Sequence, residues 1–130
     1  MVKFWLTAVM SVVLTAIVAA CTGPSNLPTH VGFNGGPTAL LSGQLVQVDE
    51  CLYIDTPSGR DLLIWPPGFG LVEDGVVVGG GRPVAKVGQP ITVGGGEYQA
   101  RDYAFLRTRM SNDVPASCRD NRFWLVIEVQ

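Results

Sequence analysis

The sequence predicts a mainly β protein, a small barrel of five to six strands with at most one short helix, preceded by a signal helix and a flexible tether. Three observations carry this expectation. From residue 42 onward, short runs of valine, isoleucine, leucine and aromatic residues recur. Turn chemistry separates those runs, and the chain spends 16 glycines and 9 prolines on it. Only residues 98–110 offer a helical stretch, with Tyr98, Phe105 and Leu106 at spacings of seven and eight.

Residues 1–20 read as an export signal. Lys3 gives a basic start, and residues 4–18 are apolar except for Thr7, Ser11 and Thr15. A spanning helix needs about 20 apolar residues, so this run is short for a permanent anchor. A basic start, a short apolar middle and small residues after it mark a secretory signal.

The small residues end in Val18-Ala19-Ala20-Cys21. This string resembles the lipobox of bacterial lipoproteins, an aliphatic residue and two small ones before an obligatory cysteine. The resemblance implies that the Cys21 thiol takes a diacylglyceryl group and that the chain is cut before it. The new amino group is then open to acylation. A thiolate is the side-chain nucleophile such chemistry needs. One acyl chain binds a membrane marginally, whereas two or more hold firmly. The implied partner is membrane lipid through acylated Cys21. The implied address is the bacterial cell envelope, on the periplasmic or extracellular face. Thr22 stands where lipoproteins kept in a Gram-negative inner membrane commonly carry aspartate.

Residues 21–41 read as a flexible tether rich in Gly, Pro, Ser, Thr and Asn. His30 lies within it and is expected to be solvated and no metal ligand. Residues 42–130 form the expected barrel domain. Removing the signal leaves 110 residues, with eight basic against eleven acidic once Lys3 is gone. That balance argues against a nucleic-acid partner.

Three cysteines look odd in an exported chain until Cys21 is assigned to lipid. Cys51 and Cys118 then remain as an even pair and are expected to form a disulfide. The alternative is a reactive thiol, but the only histidine, His30, lies far off in sequence.

The strands follow in order. Residues 43–49 and 51–55 alternate in the strand manner, and Thr56-Pro57-Ser58-Gly59 is a turn. Residues 60–65 form a third strand, stopped by Pro66-Pro67-Gly68. Glu73-Asp74-Gly75 turns into a short strand at 76–78, which Gly79-Gly80-Gly81 ends. Residues 83–87 and 91–93 flank Gly88-Gln89-Pro90. Residues 123–129 have the aromatic and β-branched content of a buried strand.

A barrel of about five strands with one helix resembles the OB-fold. A further resemblance spans residues 43–128. It rests on Gly43, Leu45, Cys51-Leu52, Gly59, Leu63, Trp65-Pro66-Pro67-Gly68-Phe69, Val93-Gly94-Gly95-Gly96 and Cys118. That pattern is similar to a group of small uncharacterised bacterial exported proteins, OB-like and stapled between the second strand and the segment before the last. The group brings no established activity.

No catalytic constellation emerges. Gly79-Gly80-Gly81-Arg82 lacks the Lys-Ser/Thr ending of a phosphate-binding loop, and Gly94-Gly95-Gly96 lacks the dinucleotide spacing. These glycines read as turns or bulges. No serine sits in a Gly-x-Ser-x-Gly elbow, and a triad has only His30 to draw on. Asp49 and Glu50 are adjacent, so in a strand they would point to opposite faces. Arg101, Arg107 and Arg109 lie among Glu97, Asp102 and Asp113, which fits a solvated face with local ion pairs. No cofactor and no metal are expected.

The leading expectation is a non-enzymatic, membrane-anchored envelope lipoprotein whose barrel binds or scaffolds an envelope component. The alternative is a small-ligand or glycan binder using Trp65 and Phe69 as contacts, two aromatics around a stiff diproline; the plainer reading of that motif is a strand end whose Trp65 and Phe69 cap one mouth of the barrel. An envelope hydrolase using carboxylates stands third.

Overall fold

In the computed structural model, which describes residues 25–33, 35–119 and 122–130, the apolar runs become strands, and β4 (Cys51–Thr56), β5 (Gly59–Ile64) and β11 (Arg122–Val129) bury both faces over part of their length. The expected signal, Cys21 and the first tether residues lie outside the described residues. In chain order the strands are β1 (Ser25–Asn26), β2 (Thr29–His30), β3 (Ala39–Val48), β4 (Cys51–Thr56), β5 (Gly59–Ile64) and β6 (Gly70–Val72). There follow β7 (Val76–Gly79), β8 (Arg82–Lys86), β9 (Pro90–Tyr98), β10 (Met110–Asn112) and β11 (Arg122–Val129). A 3-10 turn at Ala100–Asp102 runs into the short helix α1 (Tyr103–Arg107), and another 3-10 turn lies at Ala116–Cys118.

Strands β3, β4, β5, β9 and β11 close into a barrel in the order β11-β5-β4-β3-β9. The β5–β11 pairing is parallel, and the other barrel pairings are antiparallel. This is the small OB-like barrel the sequence predicts. Between β5 and β9 the chain inserts β6, β7 and β8, which with β1 make a second sheet, β1-β6-β7-β8, and pack Leu71, Val77, Val84 and Ala85 onto the barrel core.

Alternation along the central strands sorts their side chains into two cores. Leu52 and Ile54, Leu63, Trp124 and Val126 face the inner cluster, together with Leu45, Trp65, Ile91 and Val93. Their neighbours Cys51, Tyr53, Leu62, Ile64, Phe123 and Leu125 face an outer cluster, completed by Leu106, Val114 and Cys118. Residues 103–118 supply that outer cover. Burial on both faces is why residues 51–54, 62–65 and 123–126 read as unbroken apolar runs.

The glycines at 94–96 lie within β9 and serve the closure of the barrel. Val126 pairs with Gly95 and Glu128 with Gly94, so Ile127 is an extra residue and β11 bulges there. Gly95 has a φ of +156°, and a Cβ on it would stand 1.7 Å from the Leu125 carbonyl oxygen.

Two expectations need correction. Within the expected tether, Leu27, Thr29 and His30 are buried, and β3 begins at Ala39. The backbone there adds to exposed strand edges. Trp65 N–H donates to Pro28 O at 2.8 Å, His30 N–H to Trp65 O at 2.9 Å, and Val31 N–H to Arg109 O at 2.9 Å. These bonds satisfy the segment without any apolar periodicity of its own. The helical stretch is also shorter than residues 98–110, because Tyr98 ends β9 and Met110 opens β10.

Close approach at Gly95 sets a test. Gly95→Ala is expected to lower the unfolding free energy by about 3 kcal/mol, at the upper end for overpacking. Gly88→Ala, at φ +86° with nothing within 4 Å of its Cβ, is expected to cost only about 1–2 kcal/mol. Urea unfolding of both variants compares them, and equal losses would contradict the role given to Gly95.

Candidate functional site

The chemistry-bearing side chains fall into four places. The first is the staple. Cys51 opens β4 and Cys118 closes a 3-10 turn; the two are bonded, with Cα atoms 5.8 Å apart. Ser117 Oγ donates to Glu50 Oε1 at 2.8 Å beside it, fixing the tip of the β3–β4 hairpin. Asp49 occupies the left-handed region there, at φ 52°, so Asp49 and Glu50 make a turn and not a strand pair.

The second place surrounds Trp65 and Phe69, and it corrects the alternative that makes them ligand contacts while agreeing with the plainer reading that they close the barrel. Trp65 is 0% exposed and belongs to the inner core, because it continues the inward-facing positions of β5. Phe69 is half-buried and stacks on it, with ring centroids 6.0 Å apart and planes at 25°. The Phe69 ring lies against the backbone of Gly79, where a Cβ would come within 2.4 Å. These aromatics pack the barrel and offer no open platform to a sugar or peptide.

The third place is an ion cluster that the sequence did not reveal. Arg122 Nε lies 3.0 Å from Asp61 Oδ1 and 3.3 Å from Glu97 Oε1, and its Nη2 donates to Ser58 O at 3.1 Å. Asp61 is 5% exposed. Burial pushes its carboxyl above the usual range; the Arg122 charge opposes this, and Glu97 adds to it. The cluster forms because β11 pairs with β5 at Arg122↔Asp61 and with β9 at Trp124↔Glu97. No spacing in the sequence announces three residues joined only by barrel closure. One guanidinium between two carboxylates stitches three strands together.

His30 is the fourth place. It is 3% exposed rather than solvated. Its Nε2 lies 2.7 Å from Val126 O, and Gly32 N–H donates to its Nδ1 at 3.0 Å. A carbonyl only accepts, so Nε2 carries the proton and Nδ1 is bare. Burial holds its pKa below the ordinary value, although the Val126 carbonyl acts the other way.

The arginines divide. Arg107 and Arg119 each approach Asp113 Oδ2 at 3.5 Å, and Tyr103 Oη donates to Asp113 Oδ1. That hydrogen bond is the main reason the Asp113 carboxyl is held below its usual range. Arg109 instead lies over two aromatic rings, 5.7 Å from the Phe33 centroid and 5.4 Å from that of Phe105.

A cleft of about 160 Å³ opens beside the β11 bulge, lined by Pro37, Thr38, Gly94, Gly95, Ile127 and Glu128. Ligand pockets usually run to about 300 Å³ or more, so this one fits a side chain better than a whole ligand. Among the described residues no group of three or more His, Cys, Asp or Glu is placed to hold a metal ion. No helix among them is long and apolar enough to cross a membrane.

In comparisons with known proteins, no family model, no curated protein and no solved structure matches this chain.

The fixed His30 tautomer gives a pH dependence. Protonation would put a second N–H against Gly32 N–H. With the folded pKa lowered, the unfolded chain binds the proton more readily. The stabilisation from neutral His30 is therefore full above about pH 6.5 and lost as pH falls toward the folded value. The loss is at most about 1.4 kcal/mol per pH unit. Urea unfolding between pH 7.5 and 5.5 should show this slope, and His30→Gln should flatten it. An equal slope in the variant would contradict the assignment.

Proposed function

We propose that this chain is a membrane-anchored lipoprotein of the bacterial cell envelope and that its barrel is a non-enzymatic binding or scaffolding domain. Residues 1–20 are removed, Cys21 carries the acyl groups, and the barrel stands on the periplasmic or extracellular side. One observation carries the reading. Cys51 and Cys118 bond to each other and leave Cys21 as the odd cysteine, in the string Val18-Ala19-Ala20-Cys21. A disulfide that staples a small domain belongs to an oxidising compartment.

The interior chemistry supports binding over catalysis. Both nitrogens of His30 are engaged by backbone, and Arg122 lies between Asp61 and Glu97. The outer face of β4 and β5 is covered by the chain's own residues 103–118. OB-folds commonly bind oligonucleotides or oligosaccharides on that strand face. A partner of this barrel therefore meets its remaining surface.

Intact mass spectrometry of protein extracted from its own envelope tests the reading. The expected mass lacks residues 1–20 and includes a diacylglyceryl group on Cys21. Cys21→Ser should move the protein from the detergent phase to the aqueous phase, by about tenfold or more. An unmodified full-length mass, or unchanged partition of that variant, would contradict it. Crosslinking before extraction then separates a scaffold, with one dominant protein partner, from a binder that retains glycan or lipid.

A further inference from the structure

One surface departs from the chemistry of the rest. Val31 is 59% exposed and Phe105 is 52% exposed, yet both sit in ordered backbone. Phe105 lies on α1, and Val31 N–H donates to Arg109 O. The Arg109 guanidinium rests between the rings of Phe33 and Phe105. Arg101 is exposed on the 3-10 turn that leads into α1. Arg107 and Arg119 pair with Asp113, and Asp102 accepts the Gln99 N–H. Neither Arg101 nor Arg109 has an ion-pair partner among the described residues. On a chain with more acidic than basic residues, this face joins unneutralised guanidinium groups to exposed apolar side chains.

The length of the linkage to Cys21 says what this face meets. Ser25 pairs with Leu71 in the second sheet, so three residues separate Cys21 from a fixed point of the fold. They reach at most about 14 Å. Val31 lies at most about 20 Å further along the chain. A barrel anchored at Cys21 therefore stays at the bilayer, and the Val31–Phe105 face is close enough to touch it. Aromatic side chains and cationic groups are what an anionic headgroup layer accepts.

We propose that the face formed by Val31, Phe105, Arg101 and Arg109 docks on an anionic lipid surface and orients the barrel. This rests on the lipidation of Cys21 and adds a second, non-covalent contact to it. The test uses the processed, acylated protein on vesicles of phosphatidylcholine alone or mixed with phosphatidylglycerol. Phe105→Trp places a reporter in the face; Trp65 and Trp124 are buried, and the unsubstituted protein gives their background. Brominated acyl chains should quench the reporter on anionic vesicles, and iodide should reach it at least threefold less than on neutral ones. Val31→Trp should report the same. Adding Arg101→Glu and Arg109→Glu should abolish both effects. Equal iodide access on the two vesicle types, with diacylglyceryl confirmed by intact mass in the same sample, would overturn this inference alone. An unacylated protein would overturn it together with the reading beneath it. Protection seen only in native envelope, and not on pure lipid, would assign the face to a protein partner and overturn the lipid assignment.

Discussion

The outer faces of β4, β5 and β11 are apolar, and they must be covered. Tyr53, Leu62, Ile64, Phe123 and Leu125 would otherwise stand in water on a barrel whose inside is already full. The cover is the connection between β9 and β11, with Leu106 from α1, Val114 and Cys118 filling the outer cluster. Burying a side chain of this size contributes about 1.5–3 kcal/mol, but a 23-residue connection loses much conformational freedom when it is held in place. The Cys51–Cys118 bond joins that connection to the opening residue of β4. It removes freedom from the unfolded chain instead, so a short helix and two loops suffice as a second layer.

The same constraint shapes the surface. With the strand face occupied, the exposed character of the domain is set by what the connection and the N-terminal segment present outward. Phe105 and Arg109 come from the connection; Val31 and Phe33 come from the segment beside it. The segment is held by backbone bonds to Trp65 and Arg109 and by the two hydrogen bonds of His30. Covering the outer core thus also places the exposed apolar residues Val31 and Phe105 and the Arg109 guanidinium beside one another. Backbone ordered from Ser25 onward takes the place of most of the expected tether.

Much of the fold was legible in the sequence because the central strands advertise themselves. A run such as Cys51-Leu52-Tyr53-Ile54 has no polar alternate positions, since both its faces are buried. Turns at Pro57-Ser58-Gly59 and Gly79-Gly80-Gly81 stand where residue chemistry puts them. The disulfide followed from counting. The N-terminal strap was not legible, because Leu27, Val31 and Phe33 stand among prolines, glycines and polar residues without a strand's run of apolar positions, and its order comes from the backbone it joins. Trp65 beside Pro66-Pro67 read either as a strand end capping the barrel or as a ligand platform. Only the register of β5 shows that it points inward. The Asp61–Arg122–Glu97 cluster was hidden for the same reason, since barrel closure alone unites three residues scattered along the chain.

The most direct test of the covered face is hydrogen exchange on the oxidised protein and on the protein with Cys51–Cys118 reduced. Reduction should raise exchange first in residues 103–118, while the ladder amides of β3, β4 and β9 keep most of their protection. Unchanged exchange in residues 103–118, or a uniform loss across the barrel, would contradict the view that the staple holds a separate cover over an already closed core.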